Sequence, residues 1–241
     1  MATLKTTAVI GGGTMGADIA ATFARAGCAT HLVEPSDAVR AKLPAHLARS
    51  LSELGVPPDA AGRIAIHACL DGVPWGAVDL VVEAIPEKLE PKRALFAELV
   101  ARCRPDAILA SNSSAIPISE IGAGLATRER MFGAHYFMPA HRVPCVEVVL
   151  SSASDPALAD ALCEFMRSTG KVPVKVRKDI PGFLANRLQH ALCREAYALI
   201  AAGIVSPEEV DAAVRFSFGF RFTSKYRSAF LSLSEKITKS R

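Results

Sequence analysis

Short apolar runs alternate along the chain with stretches of helical periodicity. Residues 7–10, 29–33, 63–69, 79–84 and 107–111 are apolar runs of strand length. Between them, 14–25, 36–54 and 91–103 repeat their apolar positions at helical spacing, with Pro44 marking a kink or break in the second. Beyond Arg130 the runs 131–137, 146–150 and 172–176 continue the strands, with a helix at about 156–168 between the last two. Such alternation predicts an α/β fold with a doubly wound, mostly parallel sheet. Around 178–182 the pattern changes. Residues 183–202 read as one long helix whose apolar positions are Leu184, Leu188, Ala191, Leu192, Leu199 and Ile200. A second helix, 207–216, is opened by Ser206 with Glu209 three positions on, a capping box. Pro181-Gly182 is therefore the expected boundary. A sheet domain should span 1–180, a short, incomplete all-helical domain 181–222 and an atypical basic tail 223–241.

The first strand ends in Gly11-Gly12-Gly13-Thr14-Met15-Gly16, a G-x-G-x-x-G set between an apolar strand and an alanine-rich helix. That context is what a dinucleotide fingerprint requires. Gly11 allows the tight turn, Gly13 lets the backbone approach a pyrophosphate, and Gly16 lets helix and strand pack closely. Free amides at the start of the helix, which opens with Thr14 and Met15, then face the phosphates. The second strand ends at Glu34, where a carboxylate about 20 residues past the fingerprint holds a ribose 2′-hydroxyl and repels a 2′-phosphate. The expected fold is thus of Rossmann type and the expected cofactor is NAD rather than NADP.

Composition narrows the partners. Half of the 241 residues are apolar, enough for a substantial core. The formal charge is +4, but from Arg221 onward six Lys or Arg stand against one acid, which leaves −1 on the rest. With no basic stripe and no interleaved aromatics in the body, no nucleic-acid partner is expected. The six cysteines are scattered without a C-x-x-C pair, as reduced thiols of a cytosolic protein are, and neither a metal site nor a disulfide is expected. The chain reaches its first strand without a signal-peptide pattern, and no run approaches the roughly 18 apolar residues of a membrane span. A cytoplasmic, globular protein with no membrane partner is the expectation.

Candidate chemistry lies in four places. Glu83 lies at the end of the fourth apolar run and Glu87 just beyond it, at the carboxyl end of a sheet strand where ligands of open α/β sheets bind; for Glu83 a solvated loop charge is an equal reading. Ser111-Asn112-Ser113-Ser114 ends the next strand and serves either as a cap for the following segment or as a substrate contact. His135 ends a strand and Glu147 begins the next strand-like run. An imidazole can remove a hydroxyl proton, and a carboxylate on its other nitrogen fixes the tautomer and stabilises the imidazolium. A single histidine is more often structural, and His31, His46, His67, His141 and His190 are read that way. Asn186 opens the helix beyond the boundary, as a local hydrogen-bonding residue or one that reaches the cleft.

In order and spacing these motifs, namely the fingerprint with Met15, Val82-Glu83-Ala84-Ile85-Pro86-Glu87, Ser111 to Ser114, His135 to Pro139 with Glu147, and Pro181-Gly182-Phe183-Leu184-Ala185-Asn186-Arg187, resemble the L-3-hydroxyacyl-CoA dehydrogenase family over about residues 5–220. The resemblance implies His135 as general base and Glu147 as its partner, Ser114 and Asn186 as holders of the substrate oxygen, and Glu87 and Lys92 beside the nicotinamide. Met138 stands near nicotinamide and substrate where the family usually has asparagine, and methionine cannot donate a hydrogen bond. Residues 203–207 and 219–222 resemble the branch of gulonate dehydrogenase and lambda-crystallin, which acts without coenzyme A. The Ser- and Lys-rich segment 223–241 resembles nothing in the family, so a truncated or replaced C-terminal domain is expected, with an uncovered apolar helix face. The implied reaction is reversible, NAD-dependent oxidation of the 3-hydroxyl of a 3-hydroxyacyl-CoA to the keto form, in fatty-acid metabolism. The alternatives are a dehydrogenase of a free small hydroxy acid and an NAD-binding protein with little turnover. A homodimer through the helical domain is the expected assembly.

Overall fold

The computed structural model describes residues 4–223. The predicted strands form β1 (Thr6–Ile10), β2 (Ala29–Val33), β3 (Ile64–His67), β4 (Leu80–Glu83), β5 (Ile108–Ser111), β6 (Met131–Tyr136), β7 (Cys145–Leu150) and β8 (Val172–Val176). They make one sheet in the order β3-β2-β1-β4-β5-β6-β7-β8. All neighbours run parallel except β6 and β7. The connection 137–144 holds no helix, so the chain doubles back there instead of crossing over, and an antiparallel pair results.

Alternate residues of each central strand enter opposite cores, as the period of two requires. Val9 of β1 and Leu80 and Val82 of β4 pack on one side, with Ile19 and Phe23 of α1 (Thr14–Arg25) and with Leu162, Phe165 and Met166. Ala8, Ile10 and Val81 face the other, with Phe96, Leu99, Ile118 and Ile121. Both faces are therefore covered, which is why the central strands read as unbroken apolar runs. The stretch 36–54 is broken as its proline suggests, into α2 (Asp37–Arg40) and α3 (Leu43–Glu53), with Pro44 in the first turn of α3 where no intrahelical amide is missed. Also on the sheet are α4 (Leu89–Arg102), α5 (Ile118–Ile121) and α6 (Pro156–Ser168). The strand order reverses between β1 and β4, and the crevice at that switch point is where open sheets bind ligands.

Contacts divide the chain between Leu184 and Ala185. The second unit comprises α7 (Ala185–Ala201), α8 (Pro207–Phe216) and α9 (Phe218–Thr223). Glu209 N donates to Ser206 Oγ at 3.2 Å and Ser206 N to Glu209 Oε2 at 2.7 Å, so the capping box is reciprocal. A cavity of about 260 Å³ inside this unit is lined by Leu192, Leu199, Val210, Val214 and Phe218 among others. The long helix starts later than its periodicity predicts. Gly182 and Phe183 turn at positive φ (75° and 46°), and the Phe183 ring is buried in the sheet unit rather than on a helix face. No helix among the described residues is long and apolar enough to cross a membrane. The expected basic tail, from residue 224 on, lies outside the described residues.

Candidate active site

The fingerprint glycines differ in what surrounds them. A Cβ on Gly11, whose φ is +105°, would lie 2.6 Å from Ala84 O, and one on Gly16 would lie 1.8 Å from Gly11 O. These two positions are closed by the segment just after β4 and by the turn itself. A Cβ on Gly13 would meet nothing within 4 Å, which is open space in front of the helix. Among the described residues no side chain caps α1 and no acid sits in its first turn, so its leading amides are available to an anion. Gly11, Gly13, Thr14, Met15, Glu34 and Ile85 are among the residues lining a cavity of about 500 Å³. A further, mostly apolar cavity of about 360 Å³ adjoins it, bounded by Ile10, Val33, Leu70 and Leu95 among others. Gly11, Pro35 and Ile85 line both, and the larger one is also bordered by Glu34. Its Oε2 accepts from Gly12 N and its Oε1 from Ser36 N, both at 2.8 Å, so the carboxylate is fixed while each oxygen keeps a lone pair for a ribose hydroxyl. These residues can hold a dinucleotide.

At the ends of β4 and β5 the acids of the motif organise a buried network. Register places Glu83 abreast of Ser111. Glu83, fully buried, accepts from Lys92 Nζ at 2.6 Å and Ile85 N at 2.7 Å on Oε1, and from Ser111 Oγ at 2.6 Å on Oε2. Of the two readings open for Glu83, the solvated loop charge is thereby excluded. Lys92, itself buried, also lies 3.3 Å from Glu87 Oε2. Glu87 Oε1 accepts from Ser113 Oγ at 2.5 Å and from the amides of Ser114 and Ala115 at 3.0 Å. Burial pushes the Glu87 carboxyl up, but the Ser113 hydroxyl, the Ala115 amide and Lys92 together hold it below its usual range. Ser114 is exposed on this turn. Asn112 Oδ1 accepts from Tyr136 N at 2.9 Å, which ties the serine turn to the end of β6. Asn112 and Ser113 have structural tasks that sequence alone did not separate within the four polar residues.

His135 and Glu147 are direct cross-strand partners in the antiparallel β6–β7 pair. Their side chains meet at 2.8 Å, Nδ1 to Oε2, and both are buried. Phe137 and Phe183 flank the imidazole with ring centroids at 4.5 and 5.6 Å, and Leu184 N donates to Glu147 Oε1 at 3.1 Å. With Nδ1 on the carboxylate, Nε2 is the nitrogen left for a ligand. Met138, three residues beyond, is 69% exposed. Asn186 stands in the first turn of α7, in the second unit. Among the described residues, no group of three or more His, Cys, Asp and Glu is arranged to hold a metal ion.

Two family models match the chain: the NAD-binding domain of 3-hydroxyacyl-CoA dehydrogenase over residues 6–180, and the C-terminal domain of the same family over 182–226. The chain is 34% identical over 222 residues to 5-formyl-3-hydroxy-2-methylpyridine 4-carboxylate 5-dehydrogenase of Mesorhizobium japonicum, with 90% of this chain and 72% of that protein covered. It is 36% identical over 232 residues to 3-hydroxyadipyl-CoA dehydrogenase of Escherichia coli, covering 91% of this chain but about half, 47%, of that longer protein. A crystal structure of a 5-formyl-3-hydroxy-2-methylpyridine 4-carboxylic acid 5-dehydrogenase, an NAD+-dependent dismutase, superposes with a TM-score of 0.83 at 32% identity, over 98% of this chain and 78% of the other.

Proposed function

The chain belongs to the 3-hydroxyacyl-CoA dehydrogenase family, and from that premise we propose that it oxidises the 3-hydroxyl of a 3-hydroxyacyl-CoA to the ketone, reversibly and with NAD. The observation that carries the reading is the buried His135–Glu147 pair at the end of β6. His135 Nε2 takes the hydroxyl proton as the substrate carbon loses its hydride, and Glu147 stabilises the imidazolium that forms. NAD, when bound, supplies the hydride acceptor. Ser114 and Asn186 orient the substrate oxygen. Gly13, Thr14 and Met15 would receive the pyrophosphate on a turn that Gly11 and Gly16 shape, Glu34 would hold the adenosine ribose, and Glu87, Lys92 and Met138 would border the nicotinamide. The protein acts in fatty-acid metabolism in the cytoplasm, and its helical unit pairs with a second copy, which sedimentation tests.

A second reading has its own support. The Mesorhizobium relative, named for a free pyridine carboxylate, matches 90% of this chain, which supports a substrate without coenzyme A, and a free small hydroxy acid is the alternative class. Following nicotinamide absorbance with a 3-hydroxyacyl-CoA series beside a free hydroxy-acid series decides between them. Turnover on the thioesters alone supports the proposal, turnover on the free acids alone replaces it with the alternative, and NAD binding without turnover on either makes the chain a binding protein. His135→Ala should cut turnover by about 10²- to 10⁴-fold with NAD affinity retained. Near-normal turnover in that variant would remove His135 as the base.

A further inference from the structure

A second constellation of titratable side chains lies in the sheet unit, against the helix that the fingerprint opens. Asp18 of α1 is 1% exposed, and its Oδ1 accepts from His46 Nε2 at 2.8 Å and Ser50 Oγ at 2.9 Å, both on α3. Oδ2 faces His141 Nδ1 at 2.9 Å, an ion-pair distance off the line of a hydrogen bond. On the far side His141 Nε2 lies 2.8 Å from Glu53 Oε2, also on α3, with Arg142 at 3.8 Å from the same oxygen. Burial pushes the Asp18 carboxyl up, yet the contacts with His46, His141 and Ser50 outweigh it and hold it below its ordinary value. His141 and His46, read from sequence as ordinary structural histidines, thus share one buried acid.

His141 belongs to the 137–144 connection, which leaves β6 directly after the His135 segment. That connection is fastened from a second side. Lys171 Nζ, just ahead of β8, donates to the carbonyls of Ala140 at 2.5 Å, His141 at 3.3 Å and Val143 at 2.8 Å. Burial pushes the Lys171 ammonium down to about 8, so this fastener sits where a charge is costly. Helices α1 and α3 do not need His141 to stay together. Ile19 and Phe23 share a core with Leu43, Leu47 and Leu51, and His46 and Ser50 already satisfy one Asp18 oxygen. Ala140 of the connection is buried in that same core, and His141 adds a polar link from the cofactor helix to the turn that presents Met138.

We propose that His141 is a positioning residue: held between Asp18 and Glu53, it clamps the Met138 turn to the fingerprint helix and so sets the substrate end of the site. Its consequence for substrate rests on the dehydrogenase reading; the clamp itself does not. The test labels the methionine methyls of the whole chain with ¹³C, which gives signals for Met1, Met15, Met131, Met138 and Met166. In His141→Gln and Asp18→Asn the Met138 signal should move and become more mobile, while those of the buried Met131 and Met166 hold still. Glu53→Gln, at the outer and partly exposed end of the clamp, should give a smaller change of the same kind in a chain whose fold is not at risk. On the substrate series that supports turnover, His141→Gln should raise KM at least about threefold with kcat and NAD affinity little changed, and its effect should not multiply with that of Met138→Ala. A Met138 signal indifferent to all three variants overturns the clamp. So does a uniform shift of every methionine signal, which marks general loosening. If neither substrate series is turned over, the dehydrogenase reading has failed and the methyl spectra still decide the clamp; if turnover persists with KM unmoved and the double variant multiplicative, the positioning role is excluded.

Discussion

At the scale of single residues, the acids of the site are held in place by hydrogen-bond donors of the protein. Glu34 is fixed by two backbone amides, Glu83 by a lysine, a serine and an amide, and Glu147 by a histidine and an amide. Glu34→Ala should therefore do two things: narrow the preference for NAD over NADP and loosen the fingerprint turn. Fluorescence titration with both cofactors checks it, and an unchanged ratio would take the ribose role away from Glu34. The fingerprint glycines should separate cleanly. Gly16→Ala forces a Cβ onto the Gly11 carbonyl, an overpacking worth roughly 1–3 kcal/mol, read as a lower melting temperature. Gly13→Ala meets no protein atom, so it should melt like the parent and lose NAD affinity instead. Asp18 and Glu87 have folded-state values held below the unfolded ones, so the unfolded chain binds more protons in that window. Their contribution to stability is present above about pH 4 and lost as the pH falls through the lowered values. Melting curves between pH 3 and 6 should flatten in Asp18→Asn.

At the scale of elements, pattern and structure agree where the local rules are strong. The helix 14–25, the helix 156–168, the strand 172–176 and the helix 207–216 have the bounds the periodicity gives them, because an apolar period, a cap or a proline marks each end. Ser206→Ala removes one half of a reciprocal cap and should cost about 1 kcal/mol in the helical unit, measured by hydrogen exchange over 207–216. The misreading at residue 183 has a physical cause. Phe183 is apolar and directly precedes the helical repeat that starts at Leu184, but Gly182 and Phe183 take positive φ angles that place the ring beside His135. An apolar residue next to a helical repeat does not reveal which unit it will fill.

At the scale of the whole molecule, the described dinucleotide-side residues and the His135–Glu147 pair all lie in the unit ending at Leu184, which has a core on each face of its sheet. Asn186 lies in the other. A chain ending after Leu184 should therefore melt cooperatively and bind NAD with near-parent affinity while turnover is lost. Calorimetry and cofactor titration read the first two. Failure of that shorter chain to fold would mean that the helical unit is needed for the sheet.

The sequence by itself determined the alternation of strands and helices and the dinucleotide fingerprint with an acid at the end of the next strand, because each depends on spacing along one strand, one helix or one turn; His135 and Glu147 stood out only through the resemblance of their motifs to a family. Only the tertiary structure decided that His135 and Glu147 oppose each other across an antiparallel pair, that Glu83 is a buried hub joining Lys92 to Ser111, and that Asp18, His46, His141 and Glu53 meet at all. Those groups are brought together from separate elements by strand register and helix packing. A buried charge settles only where distant partners satisfy it, and which distant residues arrive is a property of the assembled fold.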